Sequence, residues 1–366
     1  MNRKQTISLM HVCFLIAASA FGGIVYLHAT ILRICQRQAW IAEGVGGLLL
    51  IPLGWWILYI ASKYPQKTIF EVVEITSGKL IARVFSMLYV GILLILSALV
   101  LRQFSTMIQM YFLHTTPIIL VMITILLVSS VIASDGIESL ARTNVISILI
   151  AYPIFYIGQG FGLIRKFEWA NIFPILEKSF LSFLEGTYLS TGLLSEAILF
   201  MLIMMASIHR PSKSYRGIFY GMLVFLVFVP ASVILISVGV LGPEEASHIA
   251  FAGINVAQTI SAGRFIQGME SFIITTYQVI VITKLAINFF AVSDTLAYAI
   301  SKRDTFKFLL FLVALSVLFL CIYTGSYNEA NMYYLFIVRY VILPFIFVIL
   351  SVAWIGTLLR RRGNSV

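Results

Sequence analysis

The chain has 366 residues, 60% of them hydrophobic and only 11% charged, with a formal net charge of +10. Soluble domains carry roughly 25% charged residues, so this composition excludes a globule covered by polar surface and makes lipid the solvent. Apolar runs approach the ~20 residues of a spanning helix, and the ~10-residue alternation of an outer-membrane barrel is absent. The expected class is all-α integral membrane.

The pattern predicts ten transmembrane helices, at 8–30, 40–62, 81–104, 117–134, 145–164, 187–208, 216–241, 271–296, 306–324 and 333–358. The first contains "AASAFGGIVYLHAT" (17–30), with Gly22 and Gly23 near its middle. Each glycine costs about 1 kcal/mol relative to alanine in a helix. The pair therefore marks either a close helix contact or a deliberate break. Between helices 2 and 3, "KTIFEVVEITSGKL" (67–80) reads as a short amphipathic helix with Ile69, Val72, Val73 and Ile75 as its apolar residues. In "SDGIESLARTN", Glu138 and Arg142 suit a local i,i+4 contact. The outer loop "RKFEWANIFPILEKSF" (165–180) carries aromatic residues suited to the membrane interface.

Helix 6 opens "EGTYLSTGLLSEAILF", with Gly186 and Gly192 among small hydroxyl residues and then Glu196. Ten helices divide as five plus five, which makes helices 1 and 6 counterparts. Transporters built from two inverted repeats interrupt the first helix of each half and bind substrate at the bared backbone. Glycines at matching places favour broken helices 1 and 6 over packing alone. The expected organisation is one permease-like domain over 1–366, with repeat one about 8–164 and repeat two about 187–358. Ser19, Gly22, Gly23, Tyr188, Thr191, Gly192 and Ser195 are the candidate ligand-binding residues.

An ionisable group at a lipid-exposed helix centre costs at least ~2.5 kcal/mol, so those inside the spans are informative. Glu196 lies in helix 6 and Lys284 in helix 8, where Tyr277, Lys284 and Asn288 share one face with Thr276 and Thr283 beside it. A lysine there can hold an acidic helix partner, stand in for a coupling cation or carry a proton. The alternative is a structural ion pair with Glu196 or Glu43. Glu43, Arg102 and Arg339 lie near outer helix ends, where snorkelling to the interface is expected.

By alternation of the connections, one side receives Arg3, Lys4, Lys63, Lys67, Lys79, Arg83, Arg142, Arg210, Lys213, Arg216, Lys302, Arg303, Lys307 and Arg360 to Arg362, which is 16 of the 25 basic residues. The positive-inside rule puts that side, and both termini, in the cytoplasm. The basic excess thus reports topology and not a nucleic-acid partner. No cleavable signal peptide is expected, because no small-x-small site follows the first apolar run. Cys13, Cys35 and Cys321 lack metal or disulfide spacing, and the five histidines are scattered. No GxSxG, HExxH, Walker A or CxxC occurs, and "GQGFG" (158–162) lacks a βαβ context. No catalytic residue, metal or cofactor is expected.

Several segments carry a family resemblance. They are "QAWIAEGVGGLLL" (38–50), "YPQKTIFEVVEITSGKLIARVFSMLY" (64–89), "TTP" (115–117), "DGIESLARTNVI" (135–146) and "FEWANIFPIL" (167–176) followed by Glu196. In order and spacing the chain resembles the spore-germination permeases, the B subunits of nutrient germinant receptors, within the amino acid–polyamine–organocation superfamily. It departs from them at Leu194 and Ser195 before the helix 6 glutamate, at "RFIQGMES" (264–271), and at His28 and Ala29, where related permeases often carry a proline. The resemblance implies a LeuT-like fold in the spore inner membrane and a small nutrient ligand, foremost an amino acid. It also implies partner A and C subunits and germination as the output. A proton-coupled transporter using Glu196 or Lys284, and a ligand-gated ion or water conduit, are the alternatives.

Overall fold

A computed structural model describes residues 7–175, 177–208, 211–249, 252–258 and 269–363. For residues 21–27, 211–215, 257–258, 269–272 and 361–363, and for Leu9, Phe161, Gly162, Arg165, Ile254 and Arg303, the backbone alone is described. The helices in chain order are α1 (Leu9–Cys35), α2 (Ala39–Lys63), α3 (Ile69–Ser77), α4 (Lys79–Tyr111), α5 (Ile118–Ser134), α6 (Ile137–Lys166), α7 (Phe180–Leu194) and α8 (Glu196–Met204). They continue with α9 (Pro211–Met222), α10 (Val229–Leu241), α11 (Pro243–His248), α12 (Ala252–Gln258), α13 (Met269–Ala299), α14 (Phe306–Tyr323), α15 (Tyr327–Ile337) and α16 (Leu343–Gly363). Each apolar run expected to be helical is helical. Among the described residues, eight stretches are long and apolar enough to cross a membrane, and Met10–Ala20 and Ile118–Ser134 are shorter apolar helices.

The two expected interruptions have different outcomes. Gly186 and Gly192, where helix 6 was expected to open, both lie inside α7; the irregularity in that span is the single turn residue Ser195, itself in αR conformation, at which α7 and α8 meet. The break expected at Gly22 and Gly23 is not found, because α1 is helical throughout. The contacts of those two glycines lie outside the described residues. In lipid, an unpaired backbone group costs several kcal/mol and a glycine about 1 kcal/mol, so a glycine pair does not by itself open a helix.

Two other helices contain wide π-turns, at Leu223–Phe228 between α9 and α10 and at Val338–Ile342 between α15 and α16. Each precedes a proline, Pro230 and Pro344. Proline has no N–H to return to the preceding turn, and carbonyls within these two turns are covered by neighbouring helices. Gly47 of α2 lies directly on the Leu226 carbonyl, where an added Cβ would come within 1.9 Å of the oxygen. Gly192 of α7 lies likewise on the Val338 carbonyl, at 2.6 Å, and the Tyr188 hydroxyl donates to the Arg339 carbonyl.

α3 is the expected amphipathic helix, with one revision. A capping box starts it: the Thr68 hydroxyl accepts from Glu71 N–H at 3.3 Å, and the Glu71 carboxylate accepts from Thr68 N–H at 2.8 Å. Ile69, Phe70, Val72 and Val73 are buried against α4 and α16, while Ile75 is exposed. Phe70 takes the place expected of Ile75, with its ring 5.2 Å from that of Tyr89.

α13 runs through the centre of the bundle, packed by α1, α4, α5, α6 and α14. Every residue from Leu189 to Met205 is buried as well. The outer loop is pinned across the ends of α1, α2 and α10. Arg37 Nε donates to the Asn171 carbonyl at 3.1 Å, Gln38 Nε2 to Lys178 at 2.9 Å, and Glu168 N–H to Gly239 at 2.9 Å. Glu138 and Arg142 form the expected i,i+4 pair.

Candidate functional site

The break at Ser195 is short. Its N–H still reaches the Thr191 carbonyl at 3.0 Å, and its own carbonyl accepts from Ile198 and Leu199. The hydroxyls beside it turn back into the helix: Ser195 Oγ donates to the Gly192 carbonyl at 2.5 Å and Thr191 Oγ1 to Thr187 at 2.8 Å. A hydroxyl has one proton. Both side chains therefore present only lone pairs to anything that enters, and they suit a donor such as an ammonium.

Glu196 begins α8 immediately after the break. Its Oε2 lies 2.8 Å from Lys284 Nζ of α13, with side chains 3% and 1% exposed, and its Oε1 accepts from the Tyr334 hydroxyl of α15. Of the two candidate glutamates, Glu196 is therefore the one that faces Lys284. The contact is an ion pair without a well-directed hydrogen bond at either atom. An ammonium has three N–H donors, so Lys284 keeps donor capacity that no side chain among the described residues uses in a well-directed hydrogen bond. Two charges this deep are tolerated only as a pair, and removing either partner typically costs 3–5 kcal/mol.

The remaining helix 8 stripe is buried with Lys284. One turn on, Asn288 Nδ2 donates to Ser97 Oγ at 3.1 Å. Tyr277 is 1% exposed, with its ring edge-on to Phe104 at 6.0 Å. Thr276 and Thr283 are buried too. Ser19 in α1 is buried, with its hydroxyl unpartnered among the described residues. Tyr188 points outward, 44% exposed, and both it and the buried Gly192 contact the Val338–Ile342 turn. The contacts of Gly22 and Gly23 are outside the described residues.

Several buried polar groups escaped sequence reasoning. Tyr334 is one of two adjacent tyrosines in "NMYYLF", and one sequence does not show which of them faces inward. Gln103 and Ser105 on α4 and His28 on α1 are buried, and the Gln103 amide, the Ser105 hydroxyl and His28 Nε2 have no partner among the described residues. Both helices pack on α13. The polar residues "RQFS" (102–105) inside an apolar run were the available signal. Glu43 corrects the snorkelling expectation: it is fully buried, because the adjacent α7 and α10 pack on α2, and the Ser190 hydroxyl of α7 donates to its backbone carbonyl at 3.3 Å. Arg339 instead pairs with Glu185 at 2.8 Å, and Arg102 donates to the Gly325 carbonyl.

Comparison with known proteins places these features in context. A family model described as spore germination protein matches residues 6–329. In Bacillus subtilis (strain 168), spore germination protein YndE is 23% identical over 288 residues, 77% of either chain. Spore germination protein KB of the same organism is 26% identical over 239 residues, 64% of either chain. Among solved structures, MhsT in complex with L-phenylalanine superposes with a TM-score of 0.70 at 12% identity, covering 97% of this chain and 93% of that one. Mhp1, a nucleobase-cation-symport-1 family transporter with bromovinylhydantoin bound, gives 0.69 at 13% identity, covering 95% and 78%. At such identities the likeness establishes a shared transporter fold.

Proposed function

The chain belongs to the spore germination permease family, and from that premise we propose that it is a sensor subunit that binds a small nutrient, foremost an amino acid, and triggers germination. The observation that carries the reading is the charge arrangement at the helix 6 break. Acceptor-only oxygens of Thr191 and Ser195 lie next to a buried carboxylate, and Lys284 across from it retains donors that the described residues leave unused. A zwitterion matches that set: its ammonium suits the hydroxyl oxygens and its carboxylate the lysine. Ser19, Tyr277 and Asn288 would line the same space, with the backbone of Gly22 and Gly23 closing it. That MhsT is solved with L-phenylalanine agrees with a ligand of this kind on this fold.

Occupancy acts by favouring one of two helix arrangements, which requires different affinity for each. Partner A and C subunits would read the change. The protein would lie in the spore inner membrane with ten spans, five plus five inverted, and both termini in the cytoplasm. Binding of an amino-acid panel by thermal shift, repeated on Thr191→Leu and followed by labelled uptake in vesicles, tests the proposal. Binding that Thr191→Leu abolishes, without uptake by the native protein, is expected. Binding untouched by the substitution overturns the site.

A second reading, proton-coupled transport, is favoured by one observation: the Glu196, Lys284 and Tyr334 cluster joins three helices through groups able to exchange protons. Concentrative, pH-driven uptake in the same vesicles would establish it over sensing.

A further inference from the structure

Between α5 and α14 the membrane-facing surface carries a groove of about 360 Å³. Ile123, Leu127, Val131, Phe311, Leu315 and Leu318 line it, and Leu127, Val131 and Phe311 are each more than half exposed. The two helices run antiparallel: Ser134 and Lys307 lie at one end, and Cys321 Sγ contacts Met122 Sδ at 3.7 Å toward the other.

The dimensions suit one occupant. From Ile123 to Ser134, and from Leu318 to Lys307, the walls rise about 16 Å at 1.5 Å per residue. That is close to half of a hydrocarbon core about 30 Å thick, the depth of one leaflet. The wall is apolar except at Ser130, one turn below Ser134; the Ser130 hydroxyl oxygen is covered by the surrounding protein. The mouth carries Lys307, exposed and without an ion pair among the described residues. Lys302 adds a second exposed positive charge in the link before α14. Alternation of the helices puts this end on the side with the basic excess.

We propose that the groove between α5 and α14 binds one anionic phospholipid of the cytoplasmic leaflet, its acyl chain along the groove and its phosphate at Lys307. A zwitterionic lipid fits the groove equally well but cancels the attraction at the mouth. The chemistry therefore selects the headgroup by charge and the chain by depth.

Native mass spectrometry of the detergent-solubilised full chain tests this, with phosphatidylglycerol and phosphatidylcholine of identical chains as probes. One phosphatidylglycerol should be retained per chain, in preference to phosphatidylcholine. Lys307→Ala should weaken its retention about fivefold, the value of one basic residue near an anionic headgroup. Ala314→Phe, which fills the groove floor, should release both lipids, whereas Val348→Trp on the exposed face of α16 should release neither. Equal retention of the two lipids by the native chain overturns the proposal. So does unchanged retention in Lys307→Ala, a surface substitution with no packing to disturb, or lipid loss in Val348→Trp equal to that in Ala314→Phe.

Discussion

Lys284 Nζ lies 2.8 Å from Glu196 Oε2 at the centre of the bundle, immediately after the break in helix 6. The pair joins α8 to α13, and Tyr334 ties the other carboxylate oxygen to α15. One ion pair thus connects the interrupted helix to two others across the core.

Breaking the pair from either side should cost more than removing it whole. Glu196→Gln or Lys284→Met alone leaves an uncompensated buried group and should destabilise by about 3–5 kcal/mol, while the double variant should recover most of that loss. Thermal unfolding of the purified chain measures it. If the pair also serves the ligand, the double variant regains stability but not binding.

Tyr334→Phe should keep the ring packing and remove one hydrogen bond to a charged acceptor, costing about 1.5–3 kcal/mol. A double-mutant cycle with Glu196→Gln isolates that bond. Additive effects would show that the hydroxyl contributes nothing through Glu196.

The two glycines on π-turn carbonyls should not tolerate a methyl group. Gly47→Ala places Cβ 1.9 Å from the Leu226 oxygen and Gly192→Ala places it 2.6 Å from the Val338 oxygen. Overpacking costs about 1–3 kcal/mol, and Gly47 should suffer more. Gly91→Ala, with nothing within 4 Å, should be neutral or gain up to about 1 kcal/mol of helix propensity. Melting temperatures of the three variants decide the order.

α3 separates capping from packing. Thr68→Ala should cost about 1 kcal/mol through its lost cap, and Phe70→Ala about 3–5 kcal/mol through the cavity it leaves. Ile75→Ala, at an exposed position, should stay within about 0.5 kcal/mol. Hydrogen exchange along α3 would resolve the first and unfolding the other two.

The apolar runs were legible because lipid imposes one rule on every backbone group, to be paired inside a helix. Length and composition then locate the helices without any knowledge of neighbours. The buried polar position of Glu196 was legible for a related reason: a glutamate among small hydroxyl residues is costly inside a span unless it faces a polar interior. Tyr334, Gln103 and the buried state of Glu43 were not legible, because which side of a helix faces protein depends on the helices around it.

The sequence by itself determined that this is a helical membrane protein with charges at Glu196 and Lys284 that needed partners. Only the tertiary structure decided which partner each found, that α1 stays helical through Gly22 and Gly23, and that Tyr188 and Gly192 serve the contact with the Val338–Ile342 turn. The physical reason is range. Hydropathy and helix pairing act within a few residues along the chain, whereas an ion pair or a glycine pressed on a carbonyl depends on how distant helices pack.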